Sequence, residues 1–106
     1  MGKFTVRIEL HGSTAADDAK LRKEMGDRKF KQSLGFADVP YDLPPAEYAI
    51  ETAASANAVL NLAVEAAKQT GLPASILLTG PDGWLMDNLT PTAPSPVRIA
   101  DLFLAR

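Results

Sequence analysis

Cysteine is absent from the 106-residue chain, and histidine occurs once, as His11. The first absence excludes a disulfide framework, a thiolate zinc site and a thiol nucleophile. The second excludes a multi-histidine metal centre within one chain. No apolar run approaches the roughly 20 residues that a membrane-spanning helix requires. The N-terminus shows no apolar signal segment, so the cytoplasm is the expected location. What remains is an ordinary globular balance of 46% hydrophobic and 23% charged residues, which argues against wholesale disorder. The length suits one domain with a real core and is too short for a two-domain enzyme.

The formal net charge is only −2, from 11 basic and 13 acidic residues, but it is unevenly spread. Residues 20–31 hold Lys20, Arg22, Lys23, Arg28, Lys29 and Lys31 against Glu24 and Asp27, a local charge of +4 that leaves −6 on the rest. A basic segment on an acidic body points to a directed contact with an anionic partner more than to general nucleic-acid affinity. The competing reading is a solvated helix face.

Residues 4–11 alternate strictly, with Phe4, Val6, Ile8 and Leu10 on one side and Thr5, Arg7, Glu9 and His11 on the other. That period of two predicts a strand with one buried face. Ser13 or Thr14 can cap a following helix to about residue 28, with Asp17 and Asp18 suited to the dipole of its first turn and Leu21 and Met25 inward. A second strand is expected over 30–36, with Phe30, Gln32, Leu34 and Phe36 on one face. A loop is expected over 37–45 because Pro40, Pro44 and Pro45 deny donors to a ladder. A third strand follows over 47–51, with Tyr48 and Ile50 inward. The broad apolar side of Val59, Leu60, Leu62, Ala63, Ala66 and Ala67 predicts a helix over about 53–70, stopped by Gly71 and Pro73. Residues 75–79 read as a short strand, and a turn at 81–83 leads to a hairpin strand at 84–86.

This order predicts an α+β, ferredoxin-like βαββαβ sandwich: an antiparallel sheet with two helices on one face, plus a C-terminal hairpin strand and tail. The expected organisation is a domain over 1–89, a proline-rich linker over 90–96 and an amphipathic tail over 97–106. That tail would dock on its own domain or on a neighbouring subunit. The open sheet face would be solvated, bind something or pair with a second copy. Fold alone settles no function.

Residues 35–41 echo the aromatic RNA-stacking motif of RNA-recognition domains. Asp38 stands where an aromatic belongs, Leu34 replaces the leading basic residue, and Pro40 would interrupt a central strand, so a turn is the better reading. Histidine as a residue type can exchange a proton near neutral pH, and His11 shares a strand face with Glu9, which makes it a candidate acid or base for phosphodiester cleavage; a lone histidine without a visible partner is more often structural or solvated. Arg22 offers a bidentate fork to phosphate and is the first candidate to stabilise charge during cleavage. Lys20, Lys23, Arg7 and Arg28 are candidate RNA-binding cations. Asp17 and Asp18 read as first-turn dipole residues rather than metal ligands. Residues 80–83 lack the lysine, spacing and helix of a phosphate loop, and Trp84 reads as a core or interface aromatic. Neither a metal nor another cofactor is expected.

The opening Phe4-Thr-Val-Arg-Ile-Glu-Leu-His11, the helix segment Leu21-Arg22-Lys23-Glu24-Met25, Leu43-Pro44-Pro45-Ala46-Glu47-Tyr48, and Leu78-Thr79 through Trp84 occur in a telling order. Over residues 3–86 the chain resembles the GhoS-type antitoxins of type V toxin–antitoxin systems. The resemblance implies a ferredoxin-like fold similar to the small nucleases of CRISPR systems, and an endoribonuclease acting on the mRNA of a small membrane toxin. It places the family's basic pair on Lys20 and Arg22. His11, with Glu9 just before it, occupies the neighbourhood where the CRISPR nucleases carry an acidic residue, which favours metal-independent cleavage. The expectation is an RNA-interacting, antitoxin-like protein. The alternative is a non-catalytic interaction module that forms a homodimer through the open sheet face or the tail.

Overall fold

The computed structural model describes residues 1–92, so the expectations for 93–106, including most of the linker and all of the tail, lie outside the described residues. The elements are β1 (Gly2–Leu10), α1 (Ala15–Asp27), β2 (Ser33–Phe36), β3 (Val39–Asp42), β4 (Glu47–Thr52), α2 (Ala56–Lys68), β5 (Ala74–Gly80) and β6 (Gly83–Asp87). A four-stranded antiparallel sheet has the order β4-β1-β5-β6, and β2 and β3 form a separate two-stranded sheet. Because β1 is antiparallel to both neighbours, β4 and β5 run in the same direction with β1 between them, joined through α2. The chain is a mixed α+β domain.

The alternation in β1 puts Phe4, Val6 and Ile8 into one buried cluster with Leu21 and Met25 of α1, Tyr48 of β4, Val59 and Ala63 of α2, and Ile76 and Leu78 of β5. Four of the buried positions around α2 are explained by its own stripe, Val59, Ala63, Ala66 and Ala67, whose small side chains let the helix sit close to the sheet. Ser55 caps α2 by accepting from the Ala58 N–H at 3.2 Å. Gly80 shows how tightly the sheet end is filled: a Cβ there would lie 2.6 Å from the Phe4 ring.

At its start α1 has a reciprocal cap. The Thr14 hydroxyl accepts from the Asp17 N–H at 3.3 Å, and the Asp17 carboxylate accepts from the Thr14 N–H at 2.9 Å. Its end is a Schellman turn, in which Lys29 N–H reaches the Gly26 carbonyl at 3.0 Å and Phe30 N–H reaches that of Met25 at 3.1 Å. Lys29 takes the left-handed conformation (φ 74°) that this turn demands.

That turn is why the expected strand over 30–36 does not form as one piece. Phe30 is the last hydrophobic anchor of the helix end, 4% exposed, while Phe36 is 61% exposed. Lys31 makes a single antiparallel bridge to Ala49, with both bonds at 2.7 Å. The chain then leaves the sheet. β2 folds back on β3 through Ala37 and Asp38, both left-handed (φ 50° and 65°), the geometry of a tight hairpin turn. A turn was expected at this point; strand β3 was not. Pro40 is tolerated because it pairs with Gly35 at a position where no ladder donor is needed, between the bonded neighbours. Phe36 and Tyr41 meet across the hairpin with ring centroids 6.0 Å apart.

Both helices cover one face of the four-stranded sheet. Lys3, Thr5, Arg7 and Glu9 stand on the other, where the base of the β2–β3 hairpin overhangs a groove of about 620 Å³ lined in part by Leu34, Phe36 and Ala49.

Candidate nucleic-acid interface

The capping of α1 at both ends fixes which of its cations are free. Two are neutralised within the helix. Arg28 donates to the Glu24 carboxylate at 2.9 Å and to its carbonyl at 3.0 Å, and both side chains are only about a fifth exposed. Lys23 bonds Asp27 at 3.0 Å, and this hydrogen bond raises the lysine above its ordinary pKa. That pair is exposed, so its energetic weight is small. The two acids of the basic segment are thus both consumed. Lys20, Arg22, Lys29 and Lys31 are exposed and form no ion pair among the described residues.

Arg22 borders a cavity of about 280 Å³ between α1, the end of β1 and the segment before β4; Glu9, Asp18, Gln32, Ala46 and Tyr48 share its lining. Tyr48 is inward, as its place in the alternation predicts, and burial pushes its hydroxyl above the ordinary tyrosine pKa. Arg22 pulls that value down and Asp18 pushes it up, so both charges are felt at the ring. Among the described residues the hydroxyl has no protein partner and no buried side-chain polar atom is left unsatisfied, so the hydroxyl keeps some access at the cavity wall. An arginine fork, a phenol and an amide thus border one small concavity together with the carboxylates of Glu9 and Asp18, so an anion there would meet Arg22 as its one cation.

The other candidates lie apart from this group. Arg7 pairs with Glu47 across β1 and β4 at 3.6 Å on the open sheet face. His11 closes β1, where its Nε2 is 2.8 Å from the Ser75 Oγ and its Nδ1 is 3.7 Å from Glu9. Ser75 Oγ in turn donates to the Asn88 carbonyl at 2.8 Å. His11 does not line the cavity; Glu9 is the residue that touches both groups. Asp17 is committed to Thr14, whose backbone and side-chain hydrogen bonds hold its carboxyl below the usual carboxylate range. Among the described residues, no three His, Asp or Glu side chains gather as a metal-ligand group.

Four residues of this region carried no functional expectation of their own. Lys29 and Lys31 were visible only as part of a charge run, and their freedom depends on which lysine or arginine captures Glu24 and Asp27. Tyr48 and Gln32 reach the cavity through packing across distant parts of the chain, for which the sequence carries no local signal. No family model, curated protein or solved structure matches this chain.

Proposed function

We propose that this chain is an RNA-interacting, antitoxin-like protein of the GhoS type, built on the ferredoxin-like plan. The fold reading rests on β4, α2 and β5 enclosing antiparallel β1, with the Lys31–Ala49 bridge standing where the second strand of that plan would run beside β4. One observation carries the functional reading. The acids within residues 20–31 are spent on Lys23 and Arg28, which leaves Lys20, Arg22, Lys29 and Lys31 without an ion pair among the described residues, with Arg22 beside a cavity that Tyr48, Gln32, Glu9 and Asp18 also line. Lys20 and Arg22 hold the RNA backbone, and Lys29 and Lys31 extend the contact past the helix end.

The same arrangement supports metal-independent cleavage. A 2′-hydroxyl attacks the adjacent phosphorus, the bond to the 5′-oxygen breaks, and a 2′,3′-cyclic phosphate forms. Arg22 stabilises the charge that builds on the phosphate oxygens. His11, beside Glu9 on the open sheet face, is the candidate to accept the hydroxyl proton from a strand that passes the end of β1, and water delivers a proton to the leaving 5′-oxygen. The test is a structured RNA with purified protein in excess chelator. Cleavage with a cyclic phosphate end is expected, and Arg22→Ala should slow it at an unchanged melting temperature. Full activity in Arg22→Ala removes this residue from the mechanism. Failure to bind RNA at all overturns the proposal.

A further inference from the structure

β6 is the end strand of the four-stranded sheet, and its outer side has no partner strand among the described residues. Its bonding can be counted across the sheet. Ala49 exchanges both backbone bonds with Lys31, so it faces away from β1 and the even-numbered residues of β1 bond β4; the Ile8 N–H, reaching the Ala46 carbonyl at 2.9 Å, agrees. The odd-numbered residues of β1 then face β5, as the His11 N–H to the Pro73 carbonyl continues. On β5 this turns Ile76, Leu78 and Gly80 toward β6, where they meet Asp87, Leu85 and Gly83. Trp84 and Met86 are left with both backbone N–H and both C=O groups directed outward along an edge that no described strand pairs.

Such an edge is ordinarily protected by charge, proline, a bulge or a covering segment. Among the described residues β6 has no proline, no bulge and no covering segment, and its one charge, Asp87, stands at its last position. Trp84, Leu85 and Met86 are consecutive and uncharged, and Trp84 and Met86 are 76% and 57% exposed. The edge is also held in place: Asn88 donates its side-chain amide to the Ala74 carbonyl at 3.0 Å, and Ser75 binds its carbonyl. The opposite edge of the sheet differs, since β4 is closed by Lys31 at Ala49 and by the Pro44 carbonyl on the Glu47 N–H.

We infer that β6 pairs antiparallel with β6 of a second copy about a two-fold axis at Leu85. In that register Trp84 of each chain bonds Met86 of the other, and four N–H···O bonds use every outward backbone group. Indole and thioether lie side by side on the open face, a favourable contact. Asp87 falls opposite Gly83, so no like charges meet. Shifting the register to put Trp84 against Trp84, or Met86 against Met86, leaves half of those groups unpaired. An isologous pairing about a two-fold axis uses the β6 edge of both copies, so the association closes at a dimer rather than a fibre. The interface is smaller than a standard one, so the association is weak and depends on concentration. This inference does not depend on the RNA reading.

Sedimentation of the full chain over micromolar concentrations should show a monomer–dimer equilibrium with no larger species. Trp84→Lys combined with Met86→Lys changes only exposed side chains. It should give a monomer with an unchanged circular dichroism spectrum, and mixing it with the corresponding double Glu variant should restore a heterodimer. The register has its own readout, because the chain has no other cysteine. Leu85→Cys sits on the axis at a spacing a disulfide can bridge and should crosslink on oxidation. Trp84→Cys, which faces Met86 rather than itself, should not. A full chain that stays monomeric at every concentration overturns the inference, whether residues 93–106 or nothing covers the edge. Species beyond a dimer, or crosslinking by Trp84→Cys and not Leu85→Cys, overturn it as well.

Discussion

Phe30 and Phe36 would share one face of a strand if residues 30–36 ran through the sheet, and truncating either would then damage the core. The structure separates them: Phe30 is 4% exposed and Phe36 is 61% exposed. Phe30→Ala removes a ring packed with the central cluster and also the hydrophobic anchor of the α1 Schellman turn. A buried Phe→Ala change costs about 3–5 kcal/mol. Phe36→Ala removes mainly a tilted contact with Tyr41, worth about 0.5–1.5 kcal/mol. For a domain of this size the first should lower the melting temperature by on the order of 15 °C or more, and the second by roughly 2–10 °C. Circular dichroism at the helix minimum is the appropriate signal, because Trp84 is largely exposed and reports poorly on the core. Equal losses for the two variants would refute the separation of the hairpin from the main sheet.

Further tests address the turns and the titrating groups. Lys29→Gly should stabilise the protein by about 0.5–1 kcal/mol in urea unfolding, since a left-handed φ of 74° is strained for lysine and natural for glycine. It should also weaken RNA binding by removing one free cation. The Asp17 carboxyl is depressed by Thr14, so its contribution is complete above the unfolded carboxylate pKa and is lost as pH falls through the lower folded value. The melting-temperature gap between wild type and Thr14→Ala should therefore narrow below about pH 4; a constant gap would contradict the reciprocal cap. Tyr48 is raised by burial, so stability is full below the unfolded phenol pKa of about 10 and falls as pH rises beyond it. Tyr48→Phe should remove part of that alkaline loss in a pH series of thermal melts.

Much of the fold is legible where periodicity and punctuation agree. Strict alternation predicts β1 and its buried face, and the stripe from Val59 to Ala67 with Gly71 behind it predicts α2. Ser13 and Thr14 were open alternatives for the first cap, and Thr14 takes it through the reciprocal bond with Asp17. Residues 30–42 were misread because two local rules gave way to tertiary ones. Alternation places Phe30 and Phe36 together, but the helix end claims Phe30 for the core. Proline argues against a strand at 39–42, yet Pro40 lies where a hairpin needs no donor. The site was legible as a charge run, with Arg22 and Lys20 singled out correctly as exposed. Which cations stay free is a matter of pairing within α1, and the union of Arg22 with Tyr48 and Gln32 comes only from packing.

The central claim is that four unpaired cations hold an RNA backbone. Affinity for a single-stranded RNA, measured by fluorescence anisotropy from low to moderate salt, tests it most directly. With one phosphate per cation, log K against log salt should have a slope of about −3. Arg22→Ala should reduce that slope by about 0.7 and weaken binding. Arg28→Ala, which removes a cation already bound to Glu24, should leave the slope unchanged. A slope near zero, or equal effects of Arg22→Ala and Arg28→Ala, would contradict the account.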